Sequence, residues 1–446
     1  MVNIKLPKQV NDIISKLNSK GYEAFAVGGC VRDCVLGVEP EDWDITTSAL
    51  PEQVKALFYK TVDTGIKHGT VTVLMDKMSY EVTTYRIDGP YENNRSPKNV
   101  HYTRDIIEDL KRRDFTMNAM AYNEDEGLVD AFSGILSIEN KRITCVGDPN
   151  ERFQEDALRM LRAIRFSAKL GFDIDADTQA AIINNAPLIQ NISGERVHME
   201  LTKILTSENP HFIKKCVDLG LMAYMIPEFM DTVGLEQSNV HHIYTVDDHI
   251  YEALKHIEPT ETLRWTMFLH DIGKGTTKTL DEKGQGHFYG HPEKSCVMAK
   301  DILARLRFDN KTTKDILKLI EFHDYRIEDT LKTVRRAVQK IGEELFLHYT
   351  KVQEADIKAQ NPTYIELYLP KLENIRRFFG ELQAARQCTT LKDLKINGKD
   401  LIEIGIDQGE NVGAMLYQLL DFVIEEPSYN NRQWLEQKAR ELMIKG

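Results

Sequence analysis

No apolar run in the chain approaches the ~18–20 residues that a bilayer-spanning helix needs, which excludes a helical integral membrane protein. No C-x-x-C pair occurs. Cys30, Cys34, Cys145, Cys216, Cys296 and Cys388 are scattered, and only Cys30 and Cys34 fall one helical turn apart. Such usage fits a reduced, cytoplasmic protein. The stretch Met1–Tyr22 lacks the apolar segment and small-residue cleavage site of a secretory signal. It reads instead as an amphipathic helix with Lys and Asp spread through it. Internal repeats and low-complexity segments are absent. Net positive charge is absent too, the formal balance being −12, so a nucleic-acid partner requires a local basic face rather than a basic total.

Such local clusters exist at Lys111-Arg112-Arg113, at Arg159, Arg162, Arg165 and Lys169, at Arg335-Arg336 with Lys340, and at Arg376-Arg377. Charge runs are more often solvated faces, and the Arg159 series is the one that reads as a binding face. With 446 residues, about two to four domains are expected. Alternating strands and helices fill 1–135, and helical patterns fill 136–235, 236–365 and 366–446.

The chain is organised around residues 24–45. An apolar strand, Ala24–Val27, runs into Gly28 and Gly29, then into a helical segment holding Arg32 and Asp33, then into Glu41-Asp42-Trp43-Asp44 and Ile45. If Asp42 and Asp44 lie in one strand, they point to the same side. Paired carboxylates repel, and hard oxygen ligands of this kind suit Mg²⁺, which also bridges phosphates. The two glycines permit a tight turn at a helix start, a setting that favours anions. Taken alone, Asp-x-Asp is equally a solvated strand end. Taken together, the features read as a nucleotide-plus-metal site.

Strands are expected at Val71–Met75 and Tyr80–Tyr85, around a turn at Asp76–Ser79. Glu81 in the second of these is the candidate third carboxylate. Residues 86–110 are polar and turn-rich (Gly89-Pro90, Asn93-Asn94, Ser96-Pro97) and read as a long loop without structure of its own. Arg113 is a candidate triphosphate ligand, because guanidinium takes phosphate oxygens two at a time. Asp114 could hold that arginine or a sugar. The surface ion-pair alternative stays open for both.

Residues 152–170 read as one helix with Asp156, Arg159, Arg162 and Arg165 on a shared face. Cytosine and adenine both present an amino donor beside a ring-nitrogen acceptor. A carboxylate and a guanidinium therefore match both bases and reject uracil and guanine. Asp156 and Arg159 can do this, leaving Arg162 and Arg165 for phosphate or RNA. An ordinary helical ion pair is the alternative. Further on come His249, His270-Asp271, His287, His291, His323 and Asp356, with His241 and His242 nearby. Spaced imidazoles and carboxylates suit a transition metal, whose bound water attacks phosphate esters.

The pattern GG-x-VRD followed by DWDI resembles the nucleotidyltransferase superfamily, and in detail the class II CCA-adding tRNA nucleotidyltransferases of bacteria. Glu81 lies in EVTT-Tyr-Arg, Arg113 and Asp114 in RRDFT, and Asp156 and Arg159 in ED-x-x-R, all as in that family. Glu195 and Arg196 lie in an ERV-x-x-EL motif, read as bracing, with Ser193 as a helix cap. His270-Asp271 resembles the HD phosphohydrolases. The resemblance implies an α/β head with a palm-like mixed sheet (1–135), then an elongated all-α neck and body (136–235), HD domain (236–365) and tRNA-binding tail (366–446). It implies Asp42, Asp44 and Glu81 as catalytic, with Mg²⁺ on Asp42 and Asp44. Gly28, Gly29, Arg32, Asp33, Arg113, Asp114, Asp156, Arg159, Arg162 and Arg165 are the implied nucleotide-binding set. His249, His270, Asp271 and Asp356 would hold an HD metal (Mn, Ni, Co or Fe), and His291 and His323 are the candidates for a second. The implied partners are tRNA, CTP and ATP, with no membrane. Alternatives are addition of CC or of A only, poly(A) synthesis, an HD phosphohydrolase as the main activity, or a catalytically silent RNA-binding protein.

Overall fold

The computed structural model describes residues 4–92, 94, 96–238 and 242–445, and it forms two compact units, residues 1–230 and 231–446. Among the described residues no helix is long and apolar enough to cross a membrane, and all six cysteines are unpaired.

The first unit opens with α1 (Lys8–Asn18), whose Val10, Ile13, Ile14 and Leu17 are buried at helical spacing. Next come β1 (Ala24–Val27), α2 (Gly29–Val35), β2 (Asp44–Thr47), α3 (Pro51–Leu57), β3 (Thr61–Gly65), β4 (Thr70–Met75) and β5 (Met78–Thr84). β1 is apolar and buried throughout, as a central strand covered on both faces must be. The β4–β5 turn is tighter than the four residues expected. Asp76 and Lys77 alone make it, at φ +51° and +67°, and Met75 pairs with Met78. Two left-handed residues match the twist of a two-residue hairpin.

The polar segment after β5 is not structureless. β6 (Arg86–Asp88) pairs with β9 (Val100–Tyr102), and inside that ladder β7 (Tyr91–Glu92) pairs with β8 (Ser96–Pro97). Asn93, part of the expected turn, lies outside the described residues. α4 (Ile106–Lys111), capped by the Asp105 carboxylate, leads to β10 (Ala121–Asn123) and β11 (Gly127–Val129). The head sheet has seven strands in the order β11-β10-β1-β2-β5-β4-β3. Its β2–β5 pair is parallel and the other pairs are antiparallel, as expected of a mixed sheet.

Helices then dominate the first unit: α5 (Gly134–Glu139), whose first N–H groups are held by Asp130, then α6 (Pro149–Glu155), α7 (Leu158–Leu170), α8 (Ala176–Asn185), α9 (Gly194–Leu205), α10 (Lys214–Asp218) and α11 (Met222–Met225). Two-residue strands at Arg142–Ile143 and Asp173–Ile174 pair between them. The single helix expected over 152–170 is broken. Asp156 leaves helical geometry at φ −133°, and α7 restarts two residues on. Ser193 does stand at the N-cap of α9, but its side chain makes no capping bond.

The second unit holds α12 (Val246–Leu254), α13 (Glu261–Leu269), α14 (Lys274–Thr277), α15 (His291–Arg305), α16 (Asn310–Phe322), α17 (Leu331–Ile341), α18 (Glu343–Lys358), α19 (Pro362–Ala384), α20 (Gly398–Glu403), α21 (Glu410–Glu425) and α22 (Arg432–Lys445). A two-residue hairpin pairs Thr279–Leu280 with Gly286–His287. The last helices build a core of their own around Leu401, Leu419, Val423 and Leu435.

In the first unit α7 is fastened to α9 by Arg165, whose Nη1 lies 3.1 Å from Oε1 of the buried Glu200. Removing one member of a buried pair strands the other. Glu200→Ala is expected to destabilise the first unit by about 3 kcal/mol, read as a fall in its denaturation midpoint, with Glu200→Gln losing less.

Candidate functional site

The parallel pairing of β2 with β5 sets Asp44 directly opposite Glu81. Asp44 opens β2 and Glu81 lies midway along β5, and both are exposed. Asp42 lies before the strand, which starts at Asp44, so strand alternation does not place it. It is nonetheless close enough to act on Asp44 by charge. The protein around this end raises the Asp44 pKa, Arg113 opposes the rise, and Glu81 and Asp42 add to it. Three carboxylate groups offering hard oxygens form a donor set that fits a divalent cation of the Mg²⁺ kind.

Two guanidinium groups flank the Gly-Gly turn beside these carboxylates. A Cβ on Gly28 would lie 3.0 Å from Arg113 Nη1, and one on Gly29 would lie 3.7 Å from Arg32 Nη2. Gly28 also sits at φ +84°, so glycine is required there both for backbone conformation and for room. The Gly28 N–H is not offered to a ligand, because it donates to the Met120 carbonyl (3.0 Å). Arg113 stands 3.6 Å from the buried Asp109, and its buried Nε has no partner among the described residues. Arg32 is itself buried. Its Nε donates to Asp33 Oδ1 (2.8 Å) and its Nη1 to Asn118 Oδ1 (2.7 Å).

Asn118 received no role from sequence and proves to be a joint. Its Nδ2 donates to Asp114 Oδ1 (3.2 Å), and Asp114 Oδ2 accepts from Arg162 Nε (2.8 Å). A continuous polar chain thus runs from α2 to α7. Its four-residue offset from Asp114 was the available signal. Burial tends to raise the Asp114 pKa, but the Arg162 guanidinium, with Arg159 and Asn118, outweighs it and holds the carboxyl down at about 2.

Asp156 and Arg159 occur together but not paired. At the α6–α7 break, Asp156 Oδ1 accepts from Leu158 N–H (3.1 Å) and Oδ2 from Arg196 (3.0 Å), so Arg196 braces as its motif suggested. Arg159 is held by Glu155 Oε2 (2.6 Å) and the Arg112 carbonyl (3.0 Å), beneath the Tyr91 ring. Arg162 and Arg165 are not free, being paired with Asp114 and Glu200. The tip of the β7–β8 hairpin reaches this break, where Ala157 N–H donates to the Asn94 carbonyl (3.0 Å).

The second unit gathers the other predicted residues at helix ends. His270 and Asp271 follow α13, His291 opens α15, His323 closes α16, and His249 and Asp356 face inward from α12 and α18. Each Nδ1 of His249, His270, His291 and His323 lies 2.7–3.1 Å from a backbone carbonyl. That fixes the N–H there and turns each Nε2 inward. His249 Nε2 lies 3.0 Å from Asp356 Oδ1, and His270 Nε2 lies 3.3 Å from Asp271 Oδ2. His291 and His323 Nε2 each lie 3.4 Å from Asp271 Oδ1 and 3.1 Å from each other. Two lone pairs facing at that range require a proton or a cation between them. His270 Nε2 and both Asp271 oxygens, all buried, lack a well-formed hydrogen bond among the described residues, although Lys274 Nζ stands 2.7 Å from Asp271 Oδ2. Imidazole plus carboxylate is a donor set that fits a transition metal. His287 stays outside the cluster, paired with Asp281, and His241 lies outside the described residues. Sequence reasoning missed Lys274 and Arg326, one helical step beyond Asp271 and His323. Both line a cavity of about 560 Å³ in front of the cluster, with Tyr289 and Tyr368.

The depressed Asp114 pKa carries a pH signature. A carboxyl held near 2 in the fold and near ~3.9 when unfolded contributes about 2–3 kcal/mol above pH ~4, and loses it as pH falls toward 2. Asp114→Asn is expected to be less stable at neutral pH by about that amount. The gap to the parent should close on acidification, as read by urea denaturation across pH.

Residues 24–144 match the family profile described as the "Poly A polymerase head domain". Residues 171–232 match the family described as "Probable RNA and SrmB- binding site of polymerase A", and residues 293–439 the one described as "tRNA nucleotidyltransferase domain 2 putative". The CCA-adding enzyme of Geobacillus thermodenitrificans is 54% identical over 442 residues, 97% of each chain. That of Limosilactobacillus reuteri is 35% identical over 449 residues, 97% of this chain and 96% of the relative. Among solved structures, the Bacillus stearothermophilus CCA-adding enzyme in complex with CTP superposes with TM-score 0.76 at 31% identity, over 99% of this chain and 100% of that one. A Thermotoga maritima CCA-adding enzyme complexed with tRNA, at 20% identity and TM-score 0.59, shares the fold. With relatives this similar along almost its whole length, the chain belongs to the CCA-adding enzyme family.

Proposed function

We propose that the protein adds C, C and A to the 3′ end of tRNA from CTP and ATP, without a nucleic-acid template and with release of pyrophosphate. The observation that carries the reading is the juxtaposition of Asp44 and Glu81 with the Gly28–Gly29 turn and its two flanking guanidinium groups. Asp42, Asp44 and Glu81 would hold Mg²⁺. A divalent cation held by these carboxylates would supply Lewis-acid activation of the attacking hydroxyl and charge stabilisation of the leaving pyrophosphate. Arg113 and Arg32 would receive the triphosphate at the glycine turn. Arg32, with Asp33 and Asn118, supplies a braced rather than a mobile cation. Asp156 and Arg159 would read the base, the carboxylate accepting from the amino group and the guanidinium donating to the ring nitrogen. Both are already oriented, Asp156 by Arg196 and Leu158 N–H, Arg159 by Glu155 and the Arg112 carbonyl. Asp114 and Arg162 tie that reading end back to the phosphate end. The domain limits 1–135, 136–235, 236–365 and 366–446 belong to this reading, as does a cytoplasmic site of action.

The test is incubation of the protein with tRNA lacking its last three nucleotides, Mg²⁺, and CTP and ATP singly and together. C, C, then A, and no more, is expected at single-nucleotide resolution. Addition that stops at CC, or that runs into a long A tail, would sink the complete reading. Asp44→Ala should lower addition by about a thousandfold or more while the protein still melts cooperatively.

The inward-facing Nε2 atoms favour a second reading for the other unit, an HD-type metal centre acting on phosphate esters. His249, His270, Asp271 and Asp356 would hold one ion and His291, His323 and Asp271 a second. Elemental analysis of the purified protein should find a transition metal, and His270→Ala should lower its content while CCA addition persists. Equal metal content in the two proteins would remove this reading.

A further inference from the structure

Three guanidinium groups converge on one aromatic ring in the head. Phe166 of α7 is buried. The guanidinium carbons of Arg165, Arg32 and Arg162 lie 4.4, 5.2 and 5.4 Å from its ring centroid. Phe115 packs edge-on at 5.8 Å. All three distances fall within the ~6 Å over which a ring's negative face attracts a cation. Each arginine also has its own carboxylate, the neighbouring residue for Arg32 and a distant element for Arg162 and Arg165. Arg32 Nη2 lies 2.7 Å from Asp33, Arg162 Nη2 2.6 Å from Asp114, and Arg165 Nη1 3.1 Å from Glu200. Cations gathered this closely repel one another. The carboxylates offset that repulsion from outside, and the ring offsets it from within.

We propose that Phe166 is a positioning residue for nucleotide binding. Its ring sets the separation between Arg32, at the Gly28–Gly29 turn, and Arg162, on the helix that carries Arg159. The phosphate end and the base end of a nucleoside triphosphate then meet donors at a fixed spacing. Asn118 makes the same connection through hydrogen bonds, taking Arg32 on its Oδ1 and giving its amide to Asp114, the partner of Arg162. Ring and amide together hold Arg32 on two sides. An aliphatic side chain of similar volume would fill the space of Phe166 but offer no negative face. The inference rests on the nucleotidyltransferase reading for its ligand.

The experiment is calorimetric titration of the full chain with CTP, beside steady-state CMP addition to tRNA. Phe166→Met, which keeps bulk without a π face, is expected to weaken CTP binding and raise the KM for CTP by about three- to tenfold. Its kcat should stay within about twofold. Phe166→Tyr should restore parent affinity. Combining Phe166→Met with Arg32→Lys should cost less than the product of the two single losses, because both remove the same contact. Equal CTP affinity in parent and Phe166→Met, failure of Phe166→Tyr to rescue, or losses that simply multiply would each overturn the proposal. If Phe166→Met does not fold, Phe166→Leu carries the test against the same outcomes. A parent protein that binds no CTP overturns the nucleotidyltransferase reading instead.

Discussion

The head depends on one strand pairing. β2 and β5 run parallel, and that register alone brings Asp44 beside Glu81 across a gap of thirty-odd residues in sequence. Antiparallel pairing, used everywhere else in the sheet, would have set Glu81 against a different residue of β2. The pairing creates a difficulty as well as a site, since carboxylates drawn together resist ionising together. The surroundings answer with Arg113 laid against the bare Cα of Gly28. The glycine is therefore explained by a cation as much as by its left-handed backbone.

The same device is repeated deeper in the head. Arg32, Arg159, Arg162 and Arg165 come from α2 and α7, and each is matched by an acid: Asp33, Glu155, Asp114 and Glu200. Replacing such a buried pair as a whole with apolar groups costs little, because desolvation offsets most of the attraction, whereas removing one partner is costly. What they contribute is placement. An arginine held in an ion pair and stacked on Phe166 or Tyr91 keeps one geometry, and a ligand meeting it loses little side-chain freedom. A net acidic protein thus holds four guanidinium groups in fixed positions within its head.

The second unit resolves crowding differently. Its histidines are fixed by backbone carbonyls at Nδ1, so that four Nε2 atoms converge on Asp271 and Asp356. Lys274 meets Asp271 at Oδ2, the oxygen that His270 also faces, and Arg326 meets Asp356 at Oδ2, opposite the Oδ1 that faces His249. The head site takes its paired carboxylates from two strands, whereas this cluster takes His270, Asp271, His291 and His323 from helix ends, where the backbone can change direction and a side chain can reach inward.

The sequence by itself determined the element types around the head site, the candidate carboxylates and the histidine set. Those features rest on local chemistry: a four-residue apolar strand, two glycines, acidic pairs, and His-Asp spacing. What the sequence read wrongly were the places where long-range contacts override local pattern. The expected loop at 86–110 is a double ladder, because β6 and β7 find partners several residues away. Helical periodicity runs unbroken through Asp156, yet the helix breaks there, because Arg196 and the first N–H of α7 claim its carboxylate. Arg162 and Arg165 looked available on a helix face and are held by Asp114 and Glu200 from other elements. Only the tertiary structure decided that Asn118 joins Arg32 to Asp114 and that one phenylalanine stands among three arginines. Side-chain partners chosen across tens of residues leave no periodic trace in the chain, since a hydrogen bond or a stacked ring is specified by position in space and not by spacing in sequence.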